Sequence, residues 1–246
     1  MAKGKNTYIE YKNQPIPVKI YIEKRNNTRF SIASKYVIIR LQYGLTRVQK
    51  EGQFKKFKEW VITNLDSSIA LQQRFLGRIY DDGSILNIFN KAYTIHFVHK
   101  NRKTIKAKIF DQDIIQIEMD RSVEYPLLQK DLRQLISRVV AADCASDIEK
   151  KVDYYNDTYF QETINSIHLK RNQSNWGSCS NNRNLNFSTR LLFAPDEVIN
   201  YIIIHELAHL KEFNHSDKFW KIVSDIMPNY KSKEIWLKEN GHFCHF

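Results

Sequence analysis

The chain has 246 residues, 42% hydrophobic and 26% charged, with 7 glycines and 5 prolines, which suits one large or two modest globular domains and excludes a disordered or collagen-like chain. Lys and Arg (38) outnumber Asp and Glu (27) for a net charge of +11, a surface that favours anionic partners such as nucleic acid but says nothing about fold. Cys144, Cys179 and Cys244 are too few and odd in number for a disulfide framework, and no stretch approaches the roughly 20 apolar residues that span a bilayer.

The first hundred or so residues read as strands. Val18, Ile20 and Ile22 alternate with Lys19, Tyr21 and Glu23, the period of a half-buried strand, and residues 36–41 (YVIIRL) form another. Phe54, Phe57, Val61 and Leu65 then share one face at helical spacing. After a turn at 81–84 (DDGS), residues 85–89, 93–98, 105–110 and 114–119 suit an antiparallel meander. Basic residues cluster at 50–58 (KEGQFKKFK) and 99–108 (HKNRKTIKAK), which keeps nucleic acid open as a partner. The N-terminus has no apolar signal core, so the expected location is the cytoplasm.

Near residue 122 the period switches from strand to helix. Leu128, Leu132, Leu135, Ile136, Val139 and Val140 form a helical stripe, and a domain boundary is placed there, giving regions 1–122 and 123–246. Short strands follow at 166–170 and 184–187, then helices at 195–213, 217–226 and 232–238. Pro195 with Asp196 and Glu197 makes a good helix start. The fold class expected is α+β, and no internal repeat is evident.

Residues 201–213 (YIIIHELAHLKEF) carry the chemistry. On a helix, His205 and His209 project from one face and can reach one ion, while Glu206 sits beside them, placed to act on a bound water rather than on the metal. Ile202, Ile203, Ile204 and Leu207 mark the helix as buried, where two histidines and a glutamate are costly without partners. His215 follows six residues after His209, a spacing that resembles the metzincin pattern and makes it the favoured third ligand. Glu234 on a later helix is the competing ligand. Glu212 stands where the pattern has its turn glycine, so Asn214 is expected to make the turn in a left-handed conformation. Such a site points to zinc-dependent hydrolysis with Glu206 as general base, and Tyr230 or Arg190 as donor to the oxyanion.

Three segments together, Trp176-Gly177-Ser178-Cys179-Ser180, Asn184-Leu185-Asn186-Phe187 with Leu191 and Leu192, and HELAHL followed by Asn214-His215-Ser216 and Phe219-Trp220, resemble the YgjP-like family of metal-dependent hydrolases, relatives of the WLM and SprT-like metallopeptidases. The resemblance implies a zincin-like catalytic half after the strand-rich N-terminal half. It carries His205, His209 and His215 over as zinc ligands and Glu206 as base, with a peptide or protein as substrate. The alternatives are a nucleic-acid-binding protein with a structural zinc site, DNA-directed proteolysis, and a zinc amidase acting on a non-protein substrate. Asn175 departs from the basic residue often found before the WGSC run. Within that run Trp176 and Cys179 are expected to be packing residues, since zinc–water chemistry needs no covalent nucleophile. The chain end, 241–246 (GHFCHF), is expected to be mobile rather than a second metal site.

Overall fold

The computed structural model describes residues 5–12, 14–101, 104–120 and 125–246. They form two compact units, Met1–Ile79 and Tyr80–Phe246. The boundary expected near 122 falls on residues outside those described, within the second unit. No helix among the described residues is long and apolar enough to cross a membrane.

The first unit is a four-stranded sheet with two helices. Strands β1 (Lys5–Tyr11), β2 (Gln14–Glu23), β3 (Arg29–Ile32) and β4 (Val37–Gln42) lie in the order β1-β2-β4-β3, with β2 and β4 parallel and the outer pairs antiparallel. Helices α1 (Arg47–Asp66) and α2 (Ile69–Leu76) follow. Thr46 begins α1 with a reciprocal capping box to Gln49, which satisfies two otherwise orphaned N–H groups. Phe57, Val61 and Leu65, each four residues apart, bury one face of α1 in a core with Ile16, Val18, Val37 and Ile39. Lys55, Lys56 and Lys58 of the first basic run lie off that face and are all exposed.

The second unit opens with the same arrangement. Strands β5 (Ile85–Ile88), β6 (Lys91–His99), β7 (Lys106–Phe110) and β8 (Ile114–Met119) lie in the order β5-β6-β8-β7, again with the central pair parallel. They are therefore not the meander expected: β8 pairs with β6 by a crossover, and β7 takes the outer edge. The second basic run includes residues 102 and 103, which lie outside those described. Helix α3 (Tyr125–Tyr155) follows, and Leu132, Ile136, Val140, Cys144, Ile148 and Val152 form one unbroken buried stripe along it. Asp143 of α3 accepts from Lys91 Nζ at 2.8 Å and from Tyr93 Oη at 2.7 Å, tying the helix to β6.

Beyond α3, strands β9 (Ser166–Lys170), β10 (Gly177–Cys179) and β11 (Asn184–Ser188) form a sheet in the order β10-β11-β9. β11 pairs antiparallel with β10 and parallel with β9. Helices α4 (Asp196–Ala208), α5 (Asp217–Ile226) and α6 (Tyr230–Asn240) complete the unit. One core joins Leu86, Ile95 and Ile115 of the first sheet to Ile136 of α3, Phe187 of β11 and Ile203 of α4. The second four-stranded sheet thus shares its core with the helices and is no separate domain from them. Strand and helix segregate along each unit, which makes the fold class α+β.

Candidate metal centre

Helix α4 is buried along most of its length: Ile199, Ile203, Ile204 and Leu207 are fully enclosed. It ends at Ala208, five residues short of the expected 213. Leu210 and Lys211 donate backward three residues, to Leu207 and Ala208 at 3.0 Å each, and Glu212 donates to Ala208 at 2.9 Å. The tightened last turn swings the chain out where Lys211, Phe213 and Asn214 face solvent and nothing buried would sustain a helix. Asn214 has no positive φ, so the turn is made by this tightening rather than by a left-handed residue.

The turn returns His215 to α4. One ligand atom from each of His205, His209 and His215 lies within 4.8 Å of the others, and this is the only such three-residue group of metal-ligating side chains among the described residues. Nε2 of His205 and Nε2 of His215 stand 3.0 Å apart. Two nitrogens each about 2.0–2.1 Å from a tetrahedral ion would stand about 3.4 Å apart, so a small outward adjustment admits one. Nδ1 of His209 lies 3.2 Å from the Glu212 carbonyl; donating its proton there leaves Nε2 as the lone-pair nitrogen. Burial pushes His205 down to about 3, helped by His209 and His215, and burial also lowers His209. Both are therefore neutral, the form that ligates a metal.

Phe219 holds the three rings in place. Its centroid lies 4.9, 4.5 and 4.8 Å from those of His205, His209 and His215, and it is fully buried. Ser216 positions it: the hydroxyl caps α5 by accepting from the Phe219 amide at 3.4 Å. Trp220 stacks on His215 at 5.7 Å and on Tyr230 at 5.2 Å.

Glu206 is 4% exposed, and burial pushes its carboxyl up to about 8 against the opposing hydrogen bond from the Cys179 backbone. Gly177 on β10 makes this placement possible. A Cβ there would lie 2.5 Å from Glu206 Oε1, 2.7 Å from Cγ and 2.8 Å from Cδ, so only glycine lets the strand pass under the carboxylate. The Cys179 thiol is pushed up to about 11 by burial and by Glu206, which keeps it protonated. A cleft of about 380 Å³ opens beside Glu206, walled by Trp176, Gly177, Tyr201, His205 and Leu237, with Glu234 and Lys238 among its lining.

Glu234 is not part of the histidine cluster; its Oε1 accepts from Tyr201 Oη at 3.2 Å. Arg190 is committed elsewhere. Its guanidinium donates to the carbonyls of Cys244 (2.9 Å), Gln173 (3.0 Å) and Gly241 (2.7 Å) and stacks 4.0 Å over Trp176. It is a clamp for the C-terminal segment, where Cys244 and Phe246 are buried rather than mobile.

The family described as YgjP-like, metallopeptidase domain, matches residues 26–240. The chain belongs to this family. Membership places it among metal-dependent hydrolases and implies a divalent cation, for which the donor set of His205, His209 and His215 is a chemical fit. The chain is 27% identical over 93 residues to UTP pyrophosphatase of Escherichia coli (strain K12), a match covering 36% of this chain and 56% of that protein. It thus spans about half the length of the curated relative it matches. Among solved structures it is similar to the metallopeptidase zymogen abylysin of Pyrococcus abyssi (24% identity, 37% of this chain and 93% of that one, TM-score 0.34). It is also similar to the zymogen jannalysin of Methanocaldococcus jannaschii (27%, 37% and 91%, TM-score 0.33).

Within this YgjP-like domain, Trp176–Cys179 and Phe219 stand in the sequence only as signature or packing residues. Their roles, a glycine under the carboxylate, an amide on it and a ring against three imidazoles, depend on contacts between segments distant in the chain. One signal was present: a glycine inside a strand marks close backbone approach.

Proposed function

We propose that the protein is a zinc-dependent metallopeptidase in which His205, His209 and His215 hold the ion and Glu206 is the general base. The observation that carries the proposal is the convergence of three imidazoles beside a buried carboxylate borne by the same helix. Three histidines with a fourth position open are the donor set of a catalytic zinc. When bound, the ion supplies Lewis acidity to the attacking water and to the scissile carbonyl. Glu206 removes a proton from that water and delivers it to the leaving amine. Gly177 and the Cys179 amide keep its carboxylate in place between the two transfers. β10 ends its sheet next to Glu206, so an extended peptide can add to it as a further strand, with a side chain in the 380 Å³ cleft. Tyr230, stacked on Trp220, is the remaining candidate for stabilising the oxyanion.

The test is metal analysis joined to a cleavage screen on a cell-derived peptide library, with Glu206→Gln as the blank. Wild type is expected to carry zinc and cleave; Glu206→Gln to keep the zinc and lose about 10²–10⁴-fold in turnover. His215→Ala is expected to lose zinc and Glu234→Gln to keep it. Wild-type turnover by Glu206→Gln, or undiminished zinc in His215→Ala, would sink the assignment.

The relative named as a UTP pyrophosphatase favours one second reading, hydrolysis of a nucleoside triphosphate at the same site. Release of pyrophosphate from UTP by wild type and not by Glu206→Gln, with no cleavage in the peptide library, would favour it over peptidolysis.

A further inference from the structure

The sheet that carries β10 at one edge ends in β9 at the other. Among the described residues β9 pairs with β11 alone, and a cleft of about 840 Å³ runs between it and α3. Five consecutive residues, 167–171, line that cleft. Neighbouring strand residues point to opposite faces, so a cavity that meets every one of them runs along the edge of the strand rather than over one face.

On the α3 side, Ala141, Ala142 and Ala145 line the cleft and leave room that larger side chains would fill. The charge is one-signed. Arg138 on α3 and Lys170 and Arg171 at the end of β9 are exposed, no lining residue is acidic, and none of the three cations has an acidic partner among the described residues. The lining holds no Phe, Tyr or Trp on which a base could stack.

We propose that this groove is a docking site for an extended acidic segment of another polypeptide, which adds to β9 as a fourth strand. An open edge offers a row of backbone donors and acceptors, and the five residues of β9 pair a segment about 17 Å long. Alternate side chains of that segment enter the space over the alanines. Carboxylates meet Arg138, Lys170 and Arg171, which set its charge preference. The site lies at the opposite sheet edge from Glu206 and depends on no assumption about metal or hydrolysis.

Fluorescence anisotropy on the full chain tests this, in the Glu206→Gln background so that no peptide is consumed. The probes are a labelled ten-residue peptide alternating Glu with Val or Thr, the same peptide with one central Pro, its Lys-for-Glu counterpart, and a ten-nucleotide oligothymidylate. The acidic peptide is expected to bind and the Lys counterpart not. The Pro version is expected to bind at least tenfold more weakly, because proline removes a ladder donor. Arg138→Glu with Lys170→Glu should weaken binding at least tenfold with an unchanged melting temperature, while Lys55→Glu with Lys56→Glu on α1 leaves it unaltered. No binding of the acidic peptide overturns the proposal. So does equal binding of the Pro version, indifference to the double reversal at 138 and 170, or oligothymidylate binding that the reversal abolishes while the acidic peptide stays unbound.

Discussion

Gly177→Ala tests whether the glycine of the WGSC run serves the candidate base. The new Cβ would sit 2.5 Å from Glu206 Oε1, where ordinary contact begins at 3.4 Å, an overlap of about 0.9 Å (3.4 − 2.5). Three things could move: β10, α4 or the Glu206 side chain. Gly177 is held in register opposite Phe187, and α4 sits in the main core, so the side chain is the softest of the three. It would retreat by about 1 Å, and a misplacement of that size costs about 100-fold in rate, or about 2.7 kcal/mol of barrier. The assay measures kcat, KM, zinc content and melting temperature on a peptide taken from the cleavage screen. The expected result is kcat down about 100-fold with zinc retained, KM within about threefold and melting shifted by a few degrees, in line with the 1–3 kcal/mol of an overpacked methyl. A variant with full zinc and kcat within threefold of wild type would refute the reasoning, since the carboxylate would then tolerate displacement.

The ion-free protein should show opposite pH effects from two site residues. Glu206 rises from 4.5 to about 8 on folding, so its contribution is fully present below pH 4.5 and is lost as pH rises toward 8; chelator-treated Glu206→Gln should therefore exceed wild type in stability by up to about 4 kcal/mol at pH 8 and match it near pH 4.5, and a pH-independent difference by calorimetry would be evidence against. His205 falls from 6.5 to about 3, so its contribution is present above pH 6.5 and is lost as pH drops toward 3, which makes the ion-free protein acid-sensitive in a range where the zinc-loaded form is held by its ligands. Phe219→Ala removes a fully buried ring touching all three imidazoles and should cost about 3–5 kcal/mol of stability. It should also weaken zinc affinity at least tenfold by competition with a chromogenic chelator, and unchanged affinity would assign Phe219 to packing alone.

The histidine cluster was legible because its information is local. His205 and His209 meet by the pitch of one helix, and His215 is only six residues further on, so spacing alone restricts where it can go. Glu234 could not be dismissed by spacing, since its distance from α4 depends on how α6 packs; in the fold it bonds Tyr201 instead. Arg190 is a candidate oxyanion donor by sequence, yet it is spent on three carbonyls, two of them more than fifty residues away. Long-range partners of this kind leave no periodic trace.

The placement of the domain boundary failed for a related reason. A change of period from two to 3.6 marks the end of a sheet, not the end of a core. Leu132 and Ile136 of α3 bury against the sheet that precedes them as well as the elements that follow, so β5–β8 and helices α4 and α5 share one cluster. The topology shows what the switch did signify. Both units begin with four strands in the order first, second, fourth, third, with the central pair parallel, and then a helix with a buried ladder of residues four apart: Phe57, Val61 and Leu65 in α1, and Leu132, Ile136 and Val140 in α3. The repeat is absent at the level of residue identity because each position is constrained only to be apolar and rightly spaced, a requirement that many sequences meet. It follows that the strand-to-helix switch near 122 has its counterpart in the first unit before α1, and that each switch marks the end of a four-stranded sheet and the start of the helix that packs on it.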